Sequence, residues 1–258
     1  MRKGLIGHTG FVGSNLNTQI DFDCCYNSKN IADIRGEHFD ILYCAGAPGI
    51  KWYANQNPDK DLNSITDLMF NLANTKVEKL VLLSTIGVYD NLNSVDEEHD
   101  INIDELHPYG RHRHILEKYV LNNFDSLVVR LPSIFGNGLK KNFIYDAMDN
   151  NYDYAPNKTS TMQFYNLNNL STDIEVGIKN QLEILNISSE PINIGDLVSE
   201  VFFEDPRVLP ETTVVNYNMK TKHSKYWGIQ SDYLYKSGEI IEDLLNFIKT
   251  NKERRSFT

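Results

Sequence analysis

The sequence predicts an α/β fold, a doubly wound parallel sheet carrying a small C-terminal α/β lobe. Three observations predict it. Short apolar runs at Lys3–Gly7, Phe22–Tyr26, Phe39–Cys44, Lys79–Ser84 and Ser126–Leu131 alternate with helix-spaced segments through the first half of the chain. The runs are nearly continuous in apolar residues, as strands covered on both faces require. A glycine-rich turn, Gly7-His8-Thr9-Gly10-Phe11-Val12-Gly13, joins the first run to the first helical segment.

Each element follows from its local pattern. Lys3–Gly7 is stopped by His8-Thr9-Gly10, and Phe11–Ile20 then has helical spacing, with Phe11, Val12, Leu16 and Ile20 to one side. Phe22–Tyr26 runs into the turn-like Asn27-Ser28-Lys29-Asn30. Only the 12 residues 27–38 separate it from Phe39–Cys44, too few for a full helical crossover, so a shortened connection is expected. A helix is predicted over Asp59–Asn74, with Leu62, Ile65, Leu68, Met69 and Leu72 on its buried stripe. Lys79–Ser84 is followed by a polar loop from Asp90 to Pro108, a helix over Tyr109–Asn122 and the strand Ser126–Leu131. After Gly138 the elements scatter: a helix over Thr172–Leu185, short strands near Pro191–Ile194 and Thr213–Asn218, and a helix over Gly238–Lys249. This divides the chain into a sheet domain, 1–150, and a smaller substrate-binding lobe, 151–258, from which some chain returns to the main sheet. The basic end Lys252–Thr258 reads as a frayed helix terminus.

Composition narrows the class. The 258 residues carry 25 Lys+Arg against 35 Asp+Glu, a net charge of −10, and 41% are hydrophobic. That length supports one core or a core with a lobe. An acidic chain without a Lys/Arg-rich block is a poor ligand for duplex nucleic acid, since phosphate neutralisation dominates that affinity. The three cysteines, Cys24, Cys25 and Cys44, make no extracellular disulfide framework. No run approaches the roughly 18 apolar residues of a membrane span. Glycines and His8 interrupt the apolar stretch that a signal segment would need, and adjacent Cys24 and Cys25 read as strand residues of a reduced, cytoplasmic protein.

The glycine turn is the first feature that carries chemistry. Gly7, Gly10 and Gly13 let the backbone turn sharply and approach a pyrophosphate, with Thr9, Phe11 and Val12 completing the turn and opening the helix. A phosphate-bearing cofactor is the stronger reading, against a merely structural turn. A site preferring NAD usually shows a carboxylate about 20 residues after the first glycine. Here that region reads Cys25-Tyr26-Asn27-Ser28-Lys29, with no carboxylate. Asn27, Ser28 and Lys29 therefore favour a 2′-phosphate and hence NADP, with NAD the alternative; the plainer reading of Lys29 is a solvated turn residue.

The second feature is Ser84-Thr85-Ile86-Gly87-Val88-Tyr89 followed by Pro108-Tyr109-Gly110-Arg111-His112-Arg113, with Thr85 preceding Tyr109 by 24 positions. Together with the glycine turn and the run from Val128 to Gly136, this resembles the extended short-chain dehydrogenase/reductases, the NAD-dependent epimerase/dehydratase family. The resemblance covers most of residues 1–150 and implies a Rossmann-like NAD(P)-binding domain. It implies Tyr109 as catalytic acid/base and Thr85 as its partner at the substrate oxygen. It also puts Ala45, Gly46, Ser84 and Leu131 beside the cofactor. A phenol of pKa about 10 exchanges protons at neutral pH only where a nearby positive charge favours the anion. The family supplies that charge, and a hold on the nicotinamide ribose, with a lysine one helical turn on, where this chain has Arg113. Arginine keeps the charge but is planar and never deprotonated. Arg113 could do the same work in altered geometry, support a slow or different reaction, or mark a cofactor-binding relic.

Lys51, after the third apolar run, would lie at the nicotinamide end and add a second charge near the substrate; its plainer reading is an exposed loop lysine. Asn63, early on the following helix, is a weaker candidate for a structural or relay asparagine. Nucleotide-sugar dehydratases of the family carry an Asp-Glu pair after the active threonine; here Ile86 and Gly87 stand there, which leaves ketoreduction or epimerisation. The resemblance puts contacts to a nucleotide diphosphate at Arg130, Asn137, Lys140, Lys141 and Asn142, with Lys220, Lys222 and His223 adding charge and Gln163, Tyr165 and Asn166 near the sugar. Lys140 and Lys141 could also be a solvated helix start. His112 and His114, two apart on a helix, point in different directions and make no metal site. The leading expectation is an NAD(P)-dependent oxidoreductase or epimerase of a nucleotide-activated sugar, in carbohydrate biosynthesis. A non-catalytic dinucleotide-binding sensor and a reductase of a non-sugar carbonyl are the alternatives. By the same resemblance, a homodimer pairing the Tyr109 helix is a candidate assembly.

Overall fold

Six strands pair in parallel in a computed structural model that describes residues 1–255, with side chains through Asn251. They are β1 (Lys3–Ile6), β2 (Cys24–Tyr26), β3 (His38–Cys44), β4 (Lys76–Thr85), β5 (Ser126–Leu131) and β6 (Ile184–Asn186), in the order β2-β1-β3-β4-β5-β6. The order reverses at β1: the chain leaves it for one edge as β2 and returns on its other side as β3. Open α/β sheets bind ligands at the carboxyl ends of the strands beside such a switch point. The register brings those ends level, with Ile6 beside Tyr26 and Cys44, Thr85 beside Leu131 and Arg130 beside Asn186. β5 is buried at all six positions, as a strand covered on both faces must be.

Four helices make the connections within this first unit: α1 (Phe11–Leu16), α2 (Lys51–Gln56), α3 (Pro58–Ala73) and α4 (Pro108–Asn123); a fifth, α5 (Leu170–Lys179), leads into β6. Ile65, Leu68 and Leu72 of α3 and Leu116 and Val120 of α4 cover one face of the sheet, against Leu42, Leu80, Leu82 and Val128. Leu5, Tyr43, Val81, Leu127 and Val129, which alternate with the residues of that face, are buried as well.

Several elements differ from the sequence expectation. The helix expected over Phe11–Ile20 stops at Leu16, because Asn15, Thr18 and Gln19 turn their side chains back onto Phe11 O and Asn15 O and close the segment in tight turns. The helix expected over Thr172–Leu185 ends at Lys179, Gln181 takes φ +54°, and Ile184–Asn186 becomes the sixth strand. Lys51–Gln56 is helical rather than loop. Only Asn218–Met219 of the region near Thr213–Asn218 is strand. The shortened connection after β2 is a single 3₁₀ turn, Ile31–Ile34.

The chain divides into two compact units. The first comprises Met1–Asn91, Glu97–Leu131 and Asn168–Asn186; the second comprises Leu92–Asp96, Pro132–Leu167 and the chain from Ile187 on. The second unit has its own core, in which Ile240, Leu244 and Ile248 of the helix Ser237–Arg255 meet Phe135, Phe164, Ile194 and Leu197. The reading of Lys252–Thr258 as frayed lies outside the residues whose side chains are described. Among the described residues no helix is long and apolar enough to cross a membrane, and the three thiols are free.

Candidate active site

The glycine turn is a close approach of three backbones. Gly7 has φ +89°, and a Cβ there would stand 2.3 Å from Ala45 O; a Cβ at Gly13 would stand 2.2 Å from Gly7 O. Only glycine lets the first turn of α1 and the end of β3 close on the turn together. Gly7 N–H donates to Tyr26 O (2.8 Å), Gly10 N–H to Gly7 O (2.9 Å), and His8 Nδ1 lies 3.0 Å from Tyr26 O. Thr9 and Gly10 are exposed, Phe11, Val12, Ala45 and Gly46 half-buried. Beyond β2, Asn27 Oδ1 accepts from Lys29 N–H (2.8 Å), a turn that leaves Ser28 and Lys29 exposed.

The second close approach joins β4 to α4. A Cβ on Gly110 would sit 2.0 Å from Gly87 O, and one on Gly87 would meet Tyr109 Cε1 at 3.1 Å. The 3₁₀ turn Ile86–Val88 and the start of α4 therefore touch through bare backbone. That contact carries Thr85, at the end of β4, toward Tyr109, in the first turn of α4. Thr85 Oγ1 accepts from Gly87 N–H (3.1 Å), and Tyr109 N–H donates to Asn55 Oδ1 of α2 (3.0 Å). Pro108, at the first helical position, fixes where α4 begins.

Arg113 lies one turn after Tyr109 and is only 3% exposed. Its guanidinium carbon stands 4.0 Å from the centre of the Tyr109 ring. NH2 donates to Asp61 Oδ1 (2.8 Å) and to Pro48 O, and NH1 donates to Asp61 Oδ2 and to Tyr109 O (3.1 Å). Nε is buried with no partner among the described residues. Asp61, on α3, also takes His112 Nδ1 at 2.7 Å. Burial pushes the Asp61 carboxyl up, but Arg113 and His112 outweigh it and hold the group below the usual carboxylate range. Lys51 is exposed at the start of α2, and Asn63, the expected relay candidate, is exposed on α3.

A second buried charge pair sits one further turn along α4. Glu117, fully buried, receives Arg130 NH2 (2.7 Å), Arg130 Nε (3.2 Å) and the Ser84 hydroxyl (2.5 Å). Arg130 NH1 donates to Tyr89 Oη (2.8 Å), which is also bonded to the Asn186 amide (2.8 Å). Burial pushes the Tyr89 phenol up to about 12, against the pull of Arg130 and Asn186. Arg130 is thus not a contact for a diphosphate: the interior carboxylate takes it up. The Ser84 hydroxyl, placed by the sequence beside the cofactor, is likewise committed to Glu117. Leu131 is buried at the end of β5.

In the second unit, two expected substrate residues have other work. Gln163 is fully buried, its Nε2 donating to Ser189 O and Met219 O and its Oε1 accepting from Met219 N–H (2.7 Å), so it ties three segments together rather than facing a sugar. Asn142 caps the helix Phe143–Met148 by accepting from Tyr145 N–H (3.1 Å) and donates to Ile134 O (2.9 Å). Tyr165 is buried, Asn166 donates to Asp243 (3.0 Å), and Lys220 pairs with Asp232 (2.9 Å). Asn137, Lys140 and Lys141 are exposed. Sequence reasoning missed Asp61, Asn55, Gly110 and Glu117. Asp61 had one signal, a carboxylate on the stripe that also carries the buried Ile65 and Leu68. Among the described residues no group of three His, Cys, Asp or Glu could hold a metal ion.

The fold is shared with solved structures of low sequence identity. UDP-N-acetylglucosamine 4-epimerase from Methanobrevibacter ruminantium M1, in complex with UDP-N-acetylmuramic acid, is 12% identical with a TM-score of 0.75, over 98% of each chain. MoeE5 in complex with UDP-glucuronic acid and NAD is 16% identical with a TM-score of 0.75, over 98% of this chain and 100% of that one. RMD from Pseudomonas aeruginosa complexed with NADPH is 15% identical with a TM-score of 0.72, over 97% of this chain and 100% of that one. No curated protein matches the chain. The model of the NAD dependent epimerase/dehydratase family matches residues 20–152, just over half of the sequence, and the chain belongs to that family.

Proposed function

We propose that this protein is a NAD(P)-dependent enzyme that changes a nucleotide-activated sugar by ketoreduction or epimerisation. The observation that carries this reading is the group formed by Tyr109, Arg113 and Thr85: a phenol with a guanidinium on its ring face at the start of α4, across Gly87 from the end of a strand whose threonine has a hydroxyl proton to give. The solved complexes of the same fold, with a UDP-sugar, with NAD and with NADPH, support the substrate and cofactor classes.

The residues present fit a nicotinamide dinucleotide. The cradle at Gly7 and Gly13 leaves no space for a side chain beside the turn, and the orphaned Arg113 Nε–H is a buried donor of the kind a ribose hydroxyl would satisfy. When bound, the dinucleotide supplies or accepts the hydride at the sugar carbon. Thr85 Oγ1 already accepts from Gly87, so its own O–H is left to donate to the sugar oxygen. Tyr109 exchanges the proton of that same oxygen, with the Arg113 guanidinium held on its ring face. Ile86 and Gly87 hold no carboxylate for elimination of water, and Gly87 is needed bare where Tyr109 packs. Ser28 and Lys29, with no carboxylate beside them, are proposed to take a 2′-phosphate, hence NADP, and Asn137, Lys140 and Lys141 to contact the nucleotide diphosphate.

The test is turnover on a panel of UDP- and dTDP-sugars with NADPH and NADH, for wild type and Tyr109→Phe. The expected loss in the variant is about 10³-fold in kcat, with cofactor binding kept. Unchanged turnover in Tyr109→Phe would remove the mechanism. Dinucleotide binding without turnover on any sugar would favour a binding protein.

A further inference from the structure

We propose that Asp61 and Arg113 form one positioning unit for Tyr109, in which Asp61 holds the guanidinium over the phenol ring and leaves Nε–H as its one donor for a ligand. The inference rests on the functional reading above and concerns how that site is held.

A guanidinium has five N–H donors in one plane. Four of them are occupied: two by the two oxygens of Asp61, one by Tyr109 O and one by Pro48 O. The fork on Asp61 sets the plane of the group, and the carbonyls of Tyr109 and Pro48 set its rotation within that plane. Its carbon is thereby held 4.0 Å from the ring centre, within the range of a cation–π contact. The fifth donor, Nε–H, is buried and unpartnered. Asp61 is itself 4% exposed and is bonded by His112 as well, so one carboxylate of α3 orients two consecutive residues of α4.

Such an arrangement cannot be built from lysine. An ammonium is a point charge with no plane, so it neither forks onto a carboxylate nor lies flat on a ring. Placed at position 113 alone, it would leave Asp61 buried with part of its hydrogen bonding unmade, and a buried carboxylate without its partner pulls the surrounding structure out of place. Asp61 and Arg113 are therefore expected to be exchangeable only together. Asp61 touches neither substrate nor cofactor in this scheme: it is a positioning residue, and Arg113 is the group it positions.

The experiment is a double-mutant cycle on the full chain: wild type, Asp61→Asn, Arg113→Lys and the double variant. It reads kcat, KM for the sugar, the NADPH dissociation constant, and the thermal midpoint without cofactor. Arg113→Lys is expected to lower kcat about 100-fold and Asp61→Asn about tenfold, each with the sugar KM within about twofold of wild type. The double variant is expected to recover kcat at least about tenfold above Arg113→Lys, because a neutral amide no longer needs the fork. NADPH is expected to bind more weakly in Asp61→Asn, since the plane that aims Nε is loosened.

Arg113→Lys with wild-type kcat would overturn the proposal. So would coupling confined to the thermal midpoint with kcat unmoved, which is what a merely structural pair would show. A wild type that neither binds a dinucleotide nor turns over any sugar would overturn the functional reading and this inference with it. A working wild type without coupling in kcat would overturn the inference alone.

Discussion

Helix α4 carries two buried charge pairs one turn apart, Arg113 with Asp61 and Glu117 with Arg130, and they differ in what they leave unsatisfied. Glu117 takes Arg130 through two nitrogens and the Ser84 hydroxyl as well, while the third nitrogen of Arg130 goes to Tyr89. Every polar atom of that pair has a partner, and the partners lie on β4, β5 and the turn after β4. Arg113 is held as firmly, yet its Nε has none, and its guanidinium carbon stands 4.0 Å from the centre of the Tyr109 ring. One pair closes on itself and joins helix to sheet; the other is closed on every side but one. Similar chemistry thus serves as scaffold at one turn and, under the proposed function, as site at the next; the open donor is what tells them apart.

The largest effect that separates the pairs is expected from Glu117→Gln. Removing one partner of a buried ion pair leaves the other charged and unmatched, so unfolding is expected to become easier by about 3–5 kcal/mol. Turnover per folded molecule should stay within about threefold of wild type, checked by denaturant unfolding beside kinetics. A large loss of kcat with stability intact would make Glu117 part of the site and end the distinction. Next comes Gly110→Ala. The added methyl group would collide with Gly87 O and push the start of α4 away from Thr85, with a kcat loss of about 100-fold expected.

A pH effect sharpens the same comparison. Burial pushes the Glu117 carboxyl up, but His114, Arg130 and Ser84 outweigh it and hold the group below the usual range. A carboxyl depressed on folding stabilises the fold above its unfolded pKa, about 4.3 for Glu, and that stabilisation fades as pH falls through the folded value. The wild type is therefore expected to lose stability below about pH 4 with a steeper slope than Glu117→Gln, read from unfolding midpoints across that range. Equal slopes would mean that Glu117 is not the group being titrated. The smallest effect is expected far from both pairs. Lys29→Ala should lower the preference for NADPH over NADH by about tenfold, roughly the value of one charged contact to phosphate, measured by titration with each cofactor.

Much of the first unit was legible in the sequence because parallel strands buried on both faces announce themselves as apolar runs. The short connection after Tyr26 was legible too, since 12 residues cannot hold a crossover helix. The sixth strand was not: its three residues, Ile184–Asn186, follow a helical pattern without a break that composition shows, and only pairing with β5 makes them a strand. Around the proposed site, the tight turn through Gly7 and Gly13 could be read because its spacing is local, while the roles of Thr85 and Tyr109 rest on the proposed function. Asp61 showed only its place on the buried stripe, because its partner lies 52 positions away and neither place announces the other. Gln163 and Arg130 misled for the opposite reason. A polar residue near an expected ligand looks like a contact until its hydrogen bonds are seen to be complete inside the protein.

The most direct test of the central claim is a calorimetric titration of the purified full chain with NADPH and with NADH. Saturable binding at one site per chain is expected, tighter for NADPH, and weakened in Asp61→Asn. Absence of binding by either dinucleotide, in protein shown to be folded, would contradict it.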